Sequence, residues 1–176
     1  MLRDALLWAS TNPTLAEKLP RYGFVRKATR RFMPGEELGD ALREAEVLSR
    51  QGISSTTTLL GENLRSLEEA DEVVEQYLDG LREIASRGLP TEISAKPTQL
   101  GLDFGVDAAR ERLVRLAEAT ESTVWVDMEA SGYVDATLKI FRSVKESHGN
   151  VGLCLQSYLR RTADDLEGRA PCEPGM

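Results

Sequence analysis

The 176-residue sequence predicts an α/β protein in which helices flank a parallel sheet. Two observations lead to this fold class. Apolar, β-branched runs alternate with amphipathic stretches almost four times, at a period of about 30 to 35 residues, which is typical of repeated βα units. Polar side chains also follow every apolar run, at the edge where the strands of a parallel sheet meet their functional loops.

The region before the first strand-like run predicts helices. Its clearest pattern is an apolar stripe at helical spacing, formed by Leu38, Ala41, Leu42, Ala45 and Leu48. Gly52 then ends the pattern. We therefore expect an N-terminal helical region at 1–52, βα units at 53–168 and a disordered tail at 169–176.

Each βα unit consists of a strand-like run and the amphipathic stretch that follows it. The four runs are ISSTTTLLG (53–61), TEISAKP (91–97), STVWVDME (122–129) and VGLCLQSYL (151–159). The three long helices are expected near 66–86, 106–119 and 133–146, and a short turn near 162–167. Ser66 and Glu69 resemble a capping box at the start of the first of these helices, and Gly88 supplies its stop.

The repeating pattern alone leaves two architectures open. One is an open, doubly wound sheet, and the other is part of a (β/α)₈ barrel. A complete barrel takes about 250 residues, so this chain has room for about half of one after its helical N-terminal region.

Composition excludes several classes of function. The net charge of −7 argues against a nucleic-acid partner. A single histidine argues against histidine-based metal clusters, so we expect no metal site. That histidine, His148, precedes Gly149 at a predicted helix end, where we expect a surface residue and not the base of a Ser-His-Asp triad. Cys154 lies in an apolar run and is expected to be a small buried hydrophobe, whereas Cys172 is expected to be an exposed thiol. No apolar run reaches the roughly 18 residues of a spanning helix.

The polar residues at the ends of the four runs, or directly after them, predict a ligand site at the carboxyl edge of the sheet. They are Glu62 and Asn63, Lys96, Thr98 and Gln99, Asp127 and Glu129, and Gln156, Ser157 and Tyr158. Each also has a structural interpretation: Lys96 could pair with Asp127 or Glu129, and Gln156 could satisfy loose backbone groups. As a ligand group, Lys96 could clamp a zwitterion together with a carboxylate, or form a Schiff base. The residue chemistry does not choose between these alternatives.

Three long segments resemble proline dehydrogenase, an FAD-dependent (β/α)₈-barrel family that oxidises L-proline to Δ1-pyrroline-5-carboxylate. They are SAKPTQLGLD (94–103), VWVDMEASGYVDATLKIFR (124–142) and NVGLCLQSYLRRTADDL (150–166). The shorter segments RFMPGE (31–36) and TLLGE (58–62) also match. The resemblance implies a partial (β/α)₈ TIM barrel of about four βα units preceded by N-terminal helices.

The resemblance also implies roles for four residues. Lys96 matches a lysine near the proline carboxylate, and Asp127 matches the active-site aspartate. Met128 matches a position that contacts the flavin, and Gln156 matches a glutamine near the isoalloxazine. FAD is the implied cofactor.

The family also implies a quinone as electron acceptor, and therefore a cytoplasmic protein with peripheral contact at the inner face of the membrane. A fifth strand with an arginine and a terminal paired-arginine helix are family features that this sequence does not contain. We therefore expect a truncated chain with little activity alone, which self-associates through exposed half-barrel edges. The alternatives are a non-catalytic half-barrel remnant and a Schiff-base lyase that uses Lys96.

Overall fold

A computed structural model of the chain describes residues 38–61 and 64–168. The chain divides into two units, residues 1–51 and 52–176, and the second unit holds the sheet. The expectations for the segments before Leu38, for Glu62 and Asn63, and for the tail with Cys172 concern residues outside those described. The predicted segment bounds therefore stay predictions.

In the first unit, the described residues 38–51 form helix α1, Leu38–Ser49, and the turn that follows it. Leu42 and Ala45 are its buried side chains. They belong to the predicted apolar stripe, which the structure confirms as a helix. Exposed ion pairs one turn apart, such as that of Arg50 and Glu46 at 2.6 Å, lie on its polar side and add little stability.

The second unit alternates strands and helices along the chain. Its elements are β1 (Ser55–Thr57), α2 (Leu67–Arg87), β2 (Thr91–Ala95), α3 (Val106–Glu118), β3 (Val124–Val126), α4 (Val134–Lys145), β4 (Val151–Leu153) and α5 (Thr162–Glu167). Short 3₁₀ turns lie at Pro97–Leu100, Leu102–Phe104 and Ser131–Tyr133. No helix of the described segments is both long and apolar enough to cross a membrane.

The sheet topology decides between the two predicted architectures. All three strand pairs are parallel, and the order is β1-β2-β3-β4, so that each strand pairs with the next one along the chain. A doubly wound sheet reverses its order at a switch point, whereas a barrel wall does not. Successive helices also pack on each other, α2 on α3 and α3 on α4, as in the outer ring of a barrel. The fold is therefore a partial (β/α)₈ barrel, as predicted.

The two faces of the sheet differ in chemistry. Side chains alternate along a strand, so every second residue faces the helices. Ile93, Val124 and Val126 are at most 1% exposed and form the apolar layer under the helices. Glu92 and Trp125 lie on the opposite face, where the Trp125 indole N–H donates a 2.6 Å hydrogen bond to the Glu92 carboxylate. This second face corresponds to the interior of a barrel, and it is polar here.

Gly152 in β4 makes room for the Trp125 ring. A Cβ atom at Gly152 would lie 2.5 Å from Cε3 of Trp125, a distance that real contacts do not reach. Gly152 pairs with Trp125 in the strand register, so the ring lies over the bare backbone of the neighbouring strand. The glycine therefore has a packing role on the inner face.

All four strands are shorter than the runs that predicted them. The runs at 53–61, 91–97, 122–129 and 151–159 contain strands that end at Thr57, Ala95, Val126 and Leu153. Beyond Thr57 the backbone turns to other partners, because the Leu59 N–H donates to the Tyr77 hydroxyl at 3.2 Å. Within the described residues, β1 and β4 also pair on one side only, so a second ladder does not extend them.

The predicted ends of α2 are confirmed. The Ser66 hydroxyl accepts a 3.3 Å hydrogen bond from the Glu69 N–H, and the Glu69 carboxylate accepts one of 2.7 Å from the N–H of Arg65. The reciprocal bond of the capping box thus reaches one residue further back than usual. At the other end Gly88 adopts φ +59°, the left-handed conformation in which glycine closes a helix.

Candidate active site

The strand ends bring the four sequence-predicted residues to one edge. Ala95, Val126 and Leu153 stand level in the sheet register. Lys96 follows Ala95 directly, and Asp127 follows Val126. Because the strands are parallel, their carboxyl ends meet at this edge. Met128 lies two residues after Val126, and Gln156 lies three residues after Leu153.

Pro97 explains why a lysine stands at the end of β2. Proline has no N–H and cannot continue the ladder, so the strand stops at Ala95 and the 3₁₀ turn Pro97–Leu100 begins. Lys96 is the residue before this turn and is half-buried. The turn itself is buried, so Lys96 starts from a fixed backbone.

A buried hydrogen-bond hub supports this turn from below. The Gln99 amide group donates to the carbonyls of Leu59 at 3.0 Å and Gly61 at 2.7 Å, which ties the loop after β1 to the end of β2. The Tyr77 hydroxyl donates to the Ser94 carbonyl at 2.9 Å and lies 3.1 Å from Gln99 Oε1. Burial raises the pKa of Tyr77, and the nearby Asp127 charge raises it further. The phenol therefore stays a neutral donor. Sequence reasoning missed Tyr77, because its spacing in α2 is that of any core residue.

Asp127 is held from the neighbouring strand. The Ser94 hydroxyl donates a 2.6 Å hydrogen bond to Asp127 Oδ1, and the Asp127 N–H donates to the Ala95 carbonyl at 3.0 Å. A short bond to an ionised acceptor is among the stronger ones. The carboxylate is therefore fixed on the inner face of the sheet, half-buried.

Cys154 corrects an expectation from the sequence. It was expected to be buried, but it is exposed. It follows β4 at the level where Asp127 follows β3, so alternation turns its side chain to the inner face and away from the helices. Partial desolvation raises the pKa of the Cys154 thiol, and the Asp127 carboxylate raises it further. The thiol therefore stays protonated beside the aspartate at neutral pH.

A cavity of about 420 Å³ opens at this edge. Its lining combines a lysine, two carboxylates, hydroxyls, an amide and a thioether, contributed by Lys96, Thr98, Asp103, Met128, Glu129, Ala130, Tyr133, Gln156 and Tyr158. Three of the four predicted site residues line it, and Asp127 is not among the lining residues. The volume suits an organic ligand or part of a cofactor.

Two bridges join the loops after β2 and β3 across the cavity. Glu129 accepts hydrogen bonds from the Thr98 N–H at 2.9 Å and from the Thr98 hydroxyl at 2.6 Å. The Tyr133 hydroxyl donates to Asp103 Oδ1 at 2.8 Å. The hydrogen bond to Asp103 and its charge raise the pKa of Tyr133. These side chains fix the shape of the cavity before any ligand binds.

Gln156 has one satisfied and one unsatisfied end. Its amide nitrogen donates to the Met128 carbonyl at 2.9 Å. Gln156 therefore satisfies a backbone group, which is the structural interpretation given above for this residue. Its Oε1 atom is buried and has no hydrogen-bond partner among the described residues. Buried acceptors are normally paired, so this atom indicates a place for an external donor. The Met128 side chain packs with Val134 and Leu138.

Charged and sulfur ligands do not cluster here in the manner of a metal centre. Across residues 38–61 and 64–168, no three of the residue types that bind metals group closely enough to hold an ion.

A family profile described as proline dehydrogenase matches residues 41–171 of this chain. The chain belongs to the proline dehydrogenase family. The match covers α1 from residue 41 onward, every strand and the whole of the described cavity edge.

Individual relatives agree with the family profile. Proline dehydrogenase 1 of Bacillus subtilis (strain 168) is 32% identical over 179 residues, which cover 100% of this chain and 59% of that protein. Proline dehydrogenase of Deinococcus radiodurans is 30% identical over 185 residues, which cover 100% of this chain and 59% of that protein. This chain therefore spans about 59% of the length of these curated relatives.

A solved structure shares the fold. Proline utilization A (PutA) from Bdellovibrio bacteriovorus, inactivated by N-propargylglycine, superimposes with a TM-score of 0.69 at 21% identity. The match covers 82% of this chain and 18% of that chain. At this identity the likeness shows the fold, and it agrees with the barrel topology read from the strand order.

Proposed function

We propose that this chain takes part in the FAD-dependent oxidation of L-proline to Δ1-pyrroline-5-carboxylate, the first step of proline degradation to glutamate. One observation carries the proposal. In a chain of the proline dehydrogenase family, Lys96, Met128 and Gln156 line a single cavity at the carboxyl edge of a barrel wall. Asp127 leaves the sheet at the same level as Lys96.

The described residues fit a flavin at this edge. The buried Oε1 of Gln156 is an acceptor without a partner among them, and the ring N–H groups of a flavin are donors. Met128 lines the same cavity with a polarisable thioether. Bound FAD would supply the acceptor for the hydride that leaves the proline ring. The residues of the chain bind and orient the reactants and exclude water.

Proline is a zwitterion, and the edge offers both charges. The Lys96 ammonium would bind the proline carboxylate, and the fixed Asp127 carboxylate would face the ring amine. Ser94 keeps Asp127 oriented through its 2.6 Å hydrogen bond. An oriented charge pair of this kind fixes both ends of a small substrate, so that the bond to be oxidised has one position.

The partners follow from the same proposal. A quinone would receive the electrons, and we propose a cytoplasmic protein that makes peripheral contact with the membrane where the quinone lies. We also propose self-association through the outer strands, since β1 and β4 each pair on one side only within the described residues.

The first test is flavin binding. The purified chain is incubated with FAD, free ligand is removed, and visible absorbance is recorded, followed by a proline-dependent dye-reduction assay. Bound flavin with proline-dependent reduction supports the proposal. A folded chain that retains no flavin would contradict it for this polypeptide. Trapping of a carbonyl substrate on Lys96 by borohydride would favour the lyase instead.

A matched pair of variants tests the role of Lys96. Lys96→Met should raise the KM for proline by about 10- to 100-fold, because the substrate carboxylate loses its charged partner. Lys139→Met is the control, since Lys139 is exposed on α4. Equal effects of the two variants would remove Lys96 from the site.

Gln156→Leu should lower flavin retention without changing the KM for proline.

A further inference from the structure

The backbone ladder between β2 and β3 ends just where the proposed site begins. The last paired residues are Ala95 and Val126, and one further bond runs from the Asp127 N–H to the Ala95 carbonyl at 3.0 Å. Pro97 has no N–H to donate. Lys96 therefore sits on a segment that no strand pairing holds to the strand that carries Asp127.

Beyond the end of the backbone ladder, Glu129 connects the two segments through its side chain. Its Oε2 accepts the Thr98 N–H at 2.9 Å, and its Oε1 accepts the Thr98 hydroxyl at 2.6 Å. Thr98 is the second residue of a 3₁₀ helix, a position where the N–H has no acceptor within the helix. A carboxylate from another strand caps this turn, and its negative charge is favourable at a helix start. Thr98 is 8% exposed, so the donor side of these bonds is largely buried.

The pair of hydrogen bonds between Glu129 and Thr98, here called the clamp, affects Lys96 and Asp127 because of the spacing of these residues along the chain. Thr98 lies two residues after Lys96, and Glu129 lies two residues after Asp127. A bond between the outer members of these pairs therefore fixes the inner members relative to each other. Both Glu129 oxygens accept hydrogen bonds from Thr98, which argues against proton transfer by this carboxylate.

We propose that Glu129 is a positioning residue that holds the Lys96 turn against the Asp127 strand, so that both charges meet one substrate. This inference rests on the proposed oxidation of proline. It assigns a task to a cavity-lining carboxylate that would otherwise be taken for an acid or a base.

Four variants separate positioning from charge. Glu129→Ala removes both acceptors. Glu129→Gln keeps the clamp without charge, because its carbonyl accepts the Thr98 N–H and its amide can donate to the rotated hydroxyl. Thr98→Val deletes the hydroxyl bond, and Thr98→Ser retains it. Glu111→Ala, on the exposed side of α3, is the control.

Two readouts are taken on the full chain loaded with FAD. In Glu129→Ala we expect kcat/KM for proline to fall about 10- to 100-fold, with flavin retention unchanged, because a small misplacement of oriented groups is costly. Amide hydrogen exchange at Thr98 should become about tenfold faster in the same variant. Glu129→Gln and Thr98→Ser should stay within about threefold of the wild type in both readouts, and Thr98→Val should lie between.

The outcomes discriminate clearly. Wild-type kcat/KM in Glu129→Ala would overturn the inference while leaving the proposed function intact. A Glu129→Gln variant as impaired as Glu129→Ala would also overturn it, because charge rather than the clamp would then matter. If the wild-type chain shows no proline oxidation, the proposed function fails, and exchange at Thr98 decides the positioning claim alone. Unchanged exchange in Glu129→Ala would refute it.

Discussion

The two ends of the cavity are built differently. At the β2–β3 end, Lys96 and Asp127 rest on a buried network that links Tyr77, Ser94 and Gln99. At the β4 end, Gln156 makes one side-chain bond and leaves its other polar atom without a partner among the described residues, and Tyr158 beside it is 77% exposed. The difference indicates that Lys96 and Asp127 are already oriented before the proposed substrate binds. Gln156, on the proposed flavin side, would complete its hydrogen bonds only when a ligand binds.

The strongest test of this contrast removes the hub. Gln99 is 2% exposed, and Gln99→Ala removes its hydrogen bonds to the Leu59 and Gly61 carbonyls and its contact with the Tyr77 hydroxyl, so it should lower the free energy of unfolding by about 2–4 kcal/mol. Gln156→Ala is the matched control and should cost less than about 1 kcal/mol. Urea titrations of both variants measure the difference. Equal decreases in the free energy of unfolding would mean that the two ends of the cavity are equally well supported by hydrogen bonds.

A second test determines whether the two ends of the cavity differ only in their loops or also in the strands that carry those loops. Gly152→Ala places a methyl group against the Trp125 ring and should cost about 1–3 kcal/mol by overpacking. Gly149→Ala is the control, because a Cβ there meets no atom within 4 Å. Thermal unfolding, with Trp fluorescence as the probe, compares them. A neutral Gly152→Ala would show that β4 itself is loosely held, and not only the loop after it.

Tyr77 sharpens the comparison through pH. Tyr77→Phe leaves the Leu59 N–H without its acceptor and should cost about 1–2 kcal/mol at pH 7. The folded pKa of Tyr77 is raised above the unfolded value, so the wild type gains stability below about pH 10 and loses it as pH rises through the folded pKa. The difference in free energy of unfolding between wild type and Tyr77→Phe should therefore become smaller at strongly alkaline pH. A gap that stays constant would mean that the Tyr77 hydroxyl does not titrate with folding.

Periodicity was enough to predict the alternation of strands and helices, but not the choice between an open sheet and a barrel, nor the hydrogen bonds that support the site. Strand and helix order follow from apolar runs and end signals such as Gly88, and the parallel edge then brings Lys96 and Asp127 together. Tyr77 could not be found this way, because a tyrosine at a core position of a helix has the same spacing whether or not its hydroxyl bonds a distant loop. Cys154 was misjudged because an apolar run does not reveal that one face of its strand is polar.

The smallest expected effect lies beyond β4, where exposed charges hold α5 to α4. Arg161 donates to Asp135 at 2.6 Å, and this hydrogen bond and charge lower the pKa of Asp135. A lowered folded pKa stabilises the protein above the unfolded pKa, and the gain disappears as pH falls through the folded value. Asp135→Asn should therefore give a slightly lower urea midpoint at pH 7 and the same midpoint as the wild type at a pH below both values. Because both partners are solvent-exposed, added salt should shrink the difference at pH 7. A difference that persists in acid would assign the effect to packing, and the β4 end would then be more firmly built than its hydrogen bonds indicate.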